Sequence, residues 1–336
     1  FFNYKKKLML KEIYLQGQGQ KWSLGNDFEN YKNFFPSYGL KISKNFIPFN
    51  KIVYLSNKYI ACKSILHHFK NDLVFDYFHG HPKISPEFES IFNNIKENIN
   101  KFSRIRVSNS IIEKLFIEHG FEKKISKIFL GVETEKFKFN KKIKNHLKEK
   151  LKISKNAIVI GSFQKDSIGW AKSKSPKLIK GPDILIKSVS KIYSVYENIF
   201  IILVGPEREY VKQELLNLGI PFHHFYEEEY YNIIKYYSLL DFYFISSREE
   251  GGPKTLLEAM SCGVPVISTP VGQAKDIIDN FNSFKSETFE PEEITTIFLD
   301  NIKKKNLNDV KNRAEKTAKI HDFVNQKETW KSFFSI

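Results

Sequence analysis

Two glutamates, Glu250 and Glu258, flank a Gly-Gly-Pro turn and are separated by seven residues. The segment just before them, 242–247, is short, aromatic and β-branched, which predicts a buried strand. Residues 254–261 favour a helix, and Pro253 suits its first position because an N–H there would be unpaired. The stretch is therefore predicted to form a strand, a glycine turn and a helix.

This turn has the chemistry to bind a ligand that carries both phosphates and hydroxyl groups. Gly251 and Gly252 let a ligand approach the backbone closely. The helix start at Pro253 presents the N–H groups of Lys254 and Thr255 and a partial positive charge, which suit a phosphate. The carboxylates are good acceptors for sugar hydroxyls. A solvated loop glutamate followed by a helix-surface glutamate would give the same spacing, so spacing alone leaves both interpretations open.

A second anion-binding feature is predicted at Lys180. It is followed by Gly181, Pro182 and Asp183, which read as another helix start, so an anion is favoured there by both the lysine and the helix. A surface lysine with no ligand is the alternative. The core side of this helix is predicted to consist of Ile184, Leu185, Val189 and Ile192.

Short apolar runs alternate with helical patterns along the chain, which predicts an α/β protein with parallel sheets. Ligands of such sheets bind beyond the carboxyl ends of the strands. The predicted strands are 11–15, 51–56, 73–78, 104–109, 157–163, 200–206, 221–225, 242–247 and 265–269.

The sequence resembles the donor-binding segment of family 4 glycosyltransferases over 237–241, 247–253 and 257–267. The Glu-x7-Glu frame is intact, although Gly252 and Pro253 stand where Phe-Gly is more usual. The segment 127–137 looks like the one that closes the first domain in that family. The resemblance implies the GT-B fold, in which two Rossmann-like domains face an interdomain cleft, and a reaction that retains anomeric configuration.

The resemblance also implies domain bounds. Residues 1–138 are expected to form an acceptor-side domain and residues 139–320 a domain that binds the nucleotide sugar. Residues 321–336 are expected to form a final helix that crosses back to the first domain.

Site roles follow from the resemblance residue by residue. Glu250 would contact the transferred sugar, aided by the backbone of the two glycines, and Glu258 would accept hydrogen bonds from ribose hydroxyls. Lys180 would neutralise the donor diphosphate as the leaving group gains charge. Lys165 is the candidate for an earlier basic position against the same diphosphate, although the loop between the two lysines is longer than usual.

His79 directly follows the strand 73–78 and matches a family histidine that lies near the transferred sugar. A turn histidine satisfied by backbone groups is the alternative. His79 and His81 could bind a metal, but the sequence offers no nearby carboxylate or cysteine to complete a set. No Asp-x-Asp motif stands at a strand end, so we expect no required metal.

The predicted function is a retaining glycosyltransferase that uses a UDP- or GDP-linked sugar and needs no further cofactor. Its acceptor would be a hydroxyl of a saccharide, a lipid or a protein. Three alternatives remain open: a GT-B epimerase or phosphorylase, a nicotinamide-dependent enzyme and a non-enzymatic module that binds polyanions.

Composition bounds these predictions. The chain has 336 residues, enough for two domains, and a net charge of +15. A solvated basic surface explains this charge, and the alternative is a peripheral contact with an anionic membrane, for instance through the lysine-rich segment 141–155. No nucleic-acid partner is expected. Two cysteines, no long apolar run and no visible signal peptide predict a cytoplasmic protein, with the inner face of a membrane as a further location.

Overall fold

The computed structural model describes residues 11–17, 23–44, 47–168, 174–206, 208–302 and 307–336. The chain divides into two compact units. The first unit runs up to Val107 and adds Ile112–Ile128 and Gln326–Ile336. The second unit consists of Ser108–Ile111 and Phe129–Asn325.

The bounds of these units differ from the predicted domain bounds at three places. Residues 108–111, 129–138 and 321–325 lie in the second unit, whereas the prediction assigned them elsewhere. The last two segments pair with each other, because Val132 forms a parallel bridge with Asp322. The Asp322 carboxylate also accepts bonds from the Thr134 N–H at 2.9 Å and the Thr134 hydroxyl at 2.6 Å.

In the described part of the first unit, six parallel strands form one sheet in the order β2-β1-β3-β4-β5-β6. The strands are β1 Lys11–Gln16, β2 Leu40–Ile42, β3 Ile52–Leu55, β4 Asp72–Tyr77, β5 Arg104–Val107 and β6 Ile125–Lys127. Parallel strands all leave the sheet at the same edge, so the turns after β3, β4 and β5 meet there.

The described part of the second unit repeats this pattern, with six parallel strands in the order β12-β11-β10-β7-β8-β9. The strands are β7 Ile158–Ser162, β8 Ile199–Val204, β9 Phe222–Phe225, β10 Phe242–Ile245, β11 Val266–Ser268 and β12 Phe284–Lys285. Each of the nine predicted strand segments contains or overlaps one of the observed strands, so those predictions are confirmed.

Helices pack against both sheets. In the first unit they are α1 Ser23–Phe34, α2 Lys58–Lys63 and α3 Pro86–Glu97, together with α4 Ser110–Glu118, whose first two residues belong to the second unit. In the second unit they are α5 Lys141–Lys150, α6 Pro182–Val195, α7 Glu209–Asn217, α8 Ile234–Leu239, α9 Lys254–Ser261, α10 Gly272–Ile277, α11 Pro291–Ile302 and α12 Leu307–Ile320. The predicted core side of α6 is confirmed, since its four apolar residues are buried.

The second sheet is buried on both faces. In β10, Tyr243 and Ile245 belong to one apolar cluster, whereas Phe242 and Phe244 belong to another. Alternate side chains of a strand point to opposite faces, so a strand covered by helices on both sides must be apolar throughout. This explains the unbroken apolar run that predicted the strand.

The last helix, α13 Lys327–Phe334, belongs to the first unit. Trp330 is 1% exposed and its ring lies 5.6 Å from that of Tyr31 and 5.1 Å from that of Phe35. The buried Arg106 guanidinium lies 4.6 Å from the Trp330 ring, in a cation–π contact. A C-terminal segment thus supplies a central side chain to a core built mainly from the first hundred residues.

Trp330→Ala should destabilise the first unit by about 3–5 kcal/mol, since it empties a packed aromatic site and exposes a buried cation. Urea unfolding followed by circular dichroism measures the change. Ile320→Ala is the matched control, because Ile320 is 68% exposed and its truncation should change stability by less than about 0.5 kcal/mol. Equal effects of the two substitutions would contradict the central role of Trp330.

Candidate functional site

The loops that follow β7 and β10 meet at the carboxyl edge of the second sheet. Gln164 follows β7, and its amide nitrogen donates to the Lys180 carbonyl at 2.6 Å and to the Ser246 hydroxyl oxygen at 2.9 Å. The Gln164 side-chain oxygen lies 3.2 Å from the Ser247 hydroxyl oxygen. The side chain of Gln164 therefore ties the loop before α6 to the loop after β10.

Lys180 and Glu250, which the sequence singled out separately, form an ion pair. The Lys180 ammonium lies 2.6 Å from Glu250 Oε1, and the Ser247 hydroxyl donates to the same oxygen at 2.9 Å. The side chains are 25% and 17% exposed, so the pair is sheltered while still open to solvent. Ser247 and Gln164 were not among the predicted site residues, although both lie at the strand ends where ligands of such sheets bind.

A close backbone contact holds this arrangement in place. Gly181 has a φ of +60°, and a Cβ added to it would lie 1.8 Å from the Ser246 carbonyl oxygen, so only glycine fits. Beside it, the Arg248 guanidinium makes two 2.7 Å bonds to the Asp183 carboxylate. Burial alone would raise the pKa of Asp183, but these bonds hold it below its usual value.

The Gly-Gly turn is fixed through the carbonyl of Gly251. This oxygen accepts from the Asn109 side-chain amide at 2.8 Å and from the Ser108 hydroxyl at 2.9 Å, and both donors are buried. Gly252 has no room for a side chain, because an added Cβ would lie 2.4 Å from the Leu130 side chain. The close packing around Gly252 gives a physical reason for glycine at a position where the resembled family more often has phenylalanine.

Helix α9 starts one residue later than its proline suggested. Pro253 is the N-cap residue with an extended backbone, so the prediction that it occupies the first helical position is wrong. The first helical residues are Lys254 and Thr255, and the described cap of α9 has no side-chain hydrogen bond. The Lys254 ammonium lies 4.8 Å from the ring centroid of Tyr230.

Glu258 points into the second unit and is only 2% exposed. Its Oε2 accepts from the Tyr237 hydroxyl at 2.7 Å, and its Oε1 accepts from the Tyr230 hydroxyl. Burial, followed by the charge of Glu258, raises the pKa of Tyr237 well above its usual value, so this phenol remains a donor. Tyr237 is fully buried, whereas Tyr230 is only partly buried.

Lys165 lies in the loop after β7, next to a buried ion pair. The neighbouring Asp166 accepts a 2.6 Å bond from Arg208 Nε, and Arg208 Nη1 donates to the Ser162 carbonyl at 2.8 Å. Burial raises the pKa of Asp166 despite the nearby guanidinium. This pair fixes the start of the loop that carries Lys165.

His79 belongs to the first unit, where it directly follows β4. Its ring meets that of Phe88 edge-on at 5.8 Å, and its carbonyl accepts a bond from the buried ammonium of Lys58. The role of His79 at a transferred sugar stays a prediction. Within the described residues, no group of three or more histidine, cysteine, aspartate or glutamate side chains has the arrangement of a metal site.

Solved structures with this fold include HepE of Anabaena, crystallised with UDP and glucose. It is 18% identical, with a TM-score of 0.75 over 97% of this chain and 100% of that one. Sucrose-phosphate synthase of Thermosynechococcus elongatus is 12% identical, with a TM-score of 0.76 over 97% and 99% of the two chains. The chain thus has the α/β fold of GT-B glycosyltransferases, as predicted.

Residues 173–319 match the family model described as glycosyl transferases group 1. The matched stretch contains Lys180, Glu250 and Glu258, together with the loops that hold them. A comparison with curated protein sequences gave no significant match.

Gly181→Ala should destabilise the second unit by more than about 2 kcal/mol, because its methyl group would lie 1.8 Å from the Ser246 carbonyl oxygen and the backbone would have to shift. Gly219→Ala is the matched control: its φ is +65°, but the space around it is open. It should cost only about 1 kcal/mol, the conformational penalty. Thermal unfolding of both variants tests this, and equal losses would contradict a packing role for Gly181.

Proposed function

We propose that the protein is a retaining glycosyltransferase of family 4, which transfers a sugar from a nucleotide diphosphate sugar to a hydroxyl acceptor. The observation that carries this proposal is the contact between Lys180 and Glu250. It brings a cation suited to a diphosphate and a carboxylate suited to sugar hydroxyls to the carboxyl edge of one parallel sheet. The match of residues 173–319 to group 1 glycosyl transferases supports the same chemistry.

The proposed reaction breaks the bond between the anomeric carbon and the oxygen of the β-phosphate. The electron pair of that bond stays with the departing diphosphate, whose negative charge grows. An ammonium has three N–H donors and Glu250 takes one from Lys180, so donors remain for phosphate oxygens. Lys180 stabilises the leaving group in this way, and Glu250 orients the sugar through its hydroxyls.

We take UDP as the leading donor nucleotide. HepE of Anabaena has been crystallised with UDP-glucose as well as with UDP, and its fold extends over 98% of this chain. GDP, the other nucleotide expected from the sequence, is the comparison ligand in the experiments below.

Glu258 is proposed to bind the ribose, and the structure adds a condition to that role. Both of its oxygens already accept tyrosine hydroxyls. A carboxylate oxygen can accept two hydrogen bonds, but Glu258 is only 2% exposed, so a ribose hydroxyl can reach it only if one of its partners moves. Tyr237 is fully buried, which leaves the partly buried Tyr230 as the partner that can move. We therefore propose that nucleotide binding moves Tyr230 away from Glu258.

Titration calorimetry with UDP, GDP and ADP tests the donor site. Lys180→Ala should weaken the binding of the preferred nucleotide about 10- to 100-fold, since a hydrogen bond to a charged group contributes about 1.5–3 kcal/mol. Lys187→Ala is the matched control, because Lys187 is an exposed lysine of the same helix α6. It should leave the affinity unchanged.

Two calorimetry results would contradict the proposed donor site. One is that no nucleotide binds, and the other is that both lysine variants bind the nucleotide equally well. Binding that merely fades with salt, whatever the nucleotide, would support a polyanion-binding module instead.

Tyr230→Phe should tighten nucleotide binding about two- to tenfold, because the substitution removes a hydroxyl that competes with the ribose for Glu258. Tyr231→Phe is the matched control, since the neighbouring Tyr231 hydroxyl bonds Glu133 instead. Calorimetry with the preferred nucleotide measures both. Unchanged or weaker binding in Tyr230→Phe would show that the ribose does not take the place of this hydroxyl.

Turnover is tested by incubating the matching nucleotide sugar with candidate acceptors. NMR of the product should show the anomeric configuration of the donor, and Glu250→Gln should lower kcat at least about tenfold with a small effect on UDP affinity. Added EDTA should leave the rate unchanged if no metal is required. Inversion at the anomeric carbon would overturn the assignment to a retaining family.

A further inference from the structure

In one long stretch of the first unit, every charged residue is a lysine. Between Glu29 and Asp72 the chain contains seven lysines and no acidic residue. The whole chain has 38 acidic residues in 336, so a gap of this length is a marked departure from its average spacing. The stretch includes the two loops that lead into β3 and β4.

These two loops lie side by side. The side-chain amide of Asn71 donates to the Pro48 carbonyl and to the Leu66 carbonyl, each at 2.9 Å. The Asn50 N–H also donates to the Phe69 carbonyl at 3.2 Å. The side chains next to these atoms therefore belong to one continuous surface.

Large apolar side chains project from both loops into solvent. Ile47 is 56% exposed, Phe49 58% and Ile65 64%. Lys44, Lys63 and Lys70 are exposed in the same two segments. These six residues define what we call the basic apolar surface. Transfer of these three apolar side chains from water into hydrocarbon would be favourable, and the three lysines give the same surface a positive charge.

The other four lysines of the stretch are engaged elsewhere. Lys32 pairs with Glu29 at 2.7 Å, and Lys41 and Lys51 both pair with Glu12, at the start of β1. Lys58 is 2% exposed and packs among aromatic rings. The positive charge that faces solvent at the two loops thus comes from the three lysines of the basic apolar surface.

We propose that the basic apolar surface docks the protein on an anionic lipid bilayer, with Ile47, Phe49 and Ile65 entering the boundary between headgroups and acyl chains. A bilayer surface offers negative charge to the lysines and hydrocarbon to the apolar side chains. A soluble polyanion such as an acidic polysaccharide would satisfy only the lysines. The combination of the two residue classes therefore favours lipid.

The lysine-rich helix α5 is a weaker candidate for this contact. Its Lys144 pairs with Asp241 at 2.7 Å, and its Lys148 donates to two backbone carbonyls at 3.1 Å. Its apolar residue Leu147 packs against the core of the second unit. None of the helices in the described ranges has the length and apolar character needed to cross a membrane.

The basic apolar surface lies at the amino ends of β3 and β4, whereas His79 follows the carboxyl end of β4. Lipid docking and the predicted acceptor side thus use opposite edges of the first sheet. The inference does not rest on the proposed transferase reaction, and docking leaves the carboxyl edge of this sheet uncovered.

Co-sedimentation of the full chain with vesicles tests the proposal. Vesicles of phosphatidylcholine with about one-third phosphatidylglycerol should bind the protein, and pure phosphatidylcholine should bind it far less. Ile47→Ser, Phe49→Ser and Ile65→Ser together should weaken the partition at least about tenfold. Lys44→Glu, Lys63→Glu and Lys70→Glu together should abolish it, since each lost lysine costs about fivefold.

Matched controls separate this surface from general stickiness. Val195, Leu216 and Ile320 are 64–69% exposed in the second unit, and their triple change to serine should leave binding intact. Lys141→Glu, Lys142→Glu and Lys150→Glu together remove the same charge from α5 and should lower binding only slightly. Circular dichroism and thermal unfolding, measured for every variant, should match those of the unaltered protein and show that each one folds.

Three results would overturn the proposal. The first is no preference for anionic vesicles in the unaltered protein. The second is loss of binding in the α5 variant with full binding in the Lys44, Lys63 and Lys70 variant. The third is equal binding by the apolar variant, with heparin competing fully, which would identify a soluble polyanion as the partner. A failure of UDP binding would leave these vesicle results unaffected and would bear on the transferase proposal alone.

Discussion

The contact between Gly181 and the Ser246 carbonyl sets the geometry on which the donor site depends. Because no side chain fits between them, the loop before α6 lies directly on the loop after β10. Lys180 is then held within reach of Glu250, and Asp183 within reach of Arg248. The energy of an ion pair depends on the distance between its charges. Both of these ion pairs therefore depend on an uncharged close contact that holds the two loops together.

The strands and the site were predictable to different degrees. Apolar runs such as 242–247 indicate buried strands, because a sheet covered by helices on both faces needs apolar side chains on both. The strands β2, β6 and β12 were missed, since each has only two or three residues and one of these is a lysine, so none gives an apolar run like that of the equally short β11.

The residues that form the site were easier to predict from the sequence than the contacts between them. Sequence reasoning selected Lys180, Glu250 and Glu258, but it assigned each of them to a ligand. In the folded chain they first satisfy one another or nearby hydroxyls, because buried charges need partners. Ser247 stands at the end of a predicted strand, three residues before Glu250, so its position was a usable signal. Tyr230 could not be found from spacing, since it reaches Glu258 from a part of the chain whose position only the fold determines.

The membership of Trp330 in the first unit has a consequence for biosynthesis. A ribosome delivers the chain from its amino end, so residues 129–325, which make up nearly all of the second unit, emerge before α13 does. The core of the second unit therefore consists entirely of residues that precede α13 in the chain. The first unit, although it emerges earlier, keeps an aromatic site around Tyr31 and Phe35 empty until Trp330 arrives. The core of the first unit thus cannot be completed before the whole of the second unit has been synthesised.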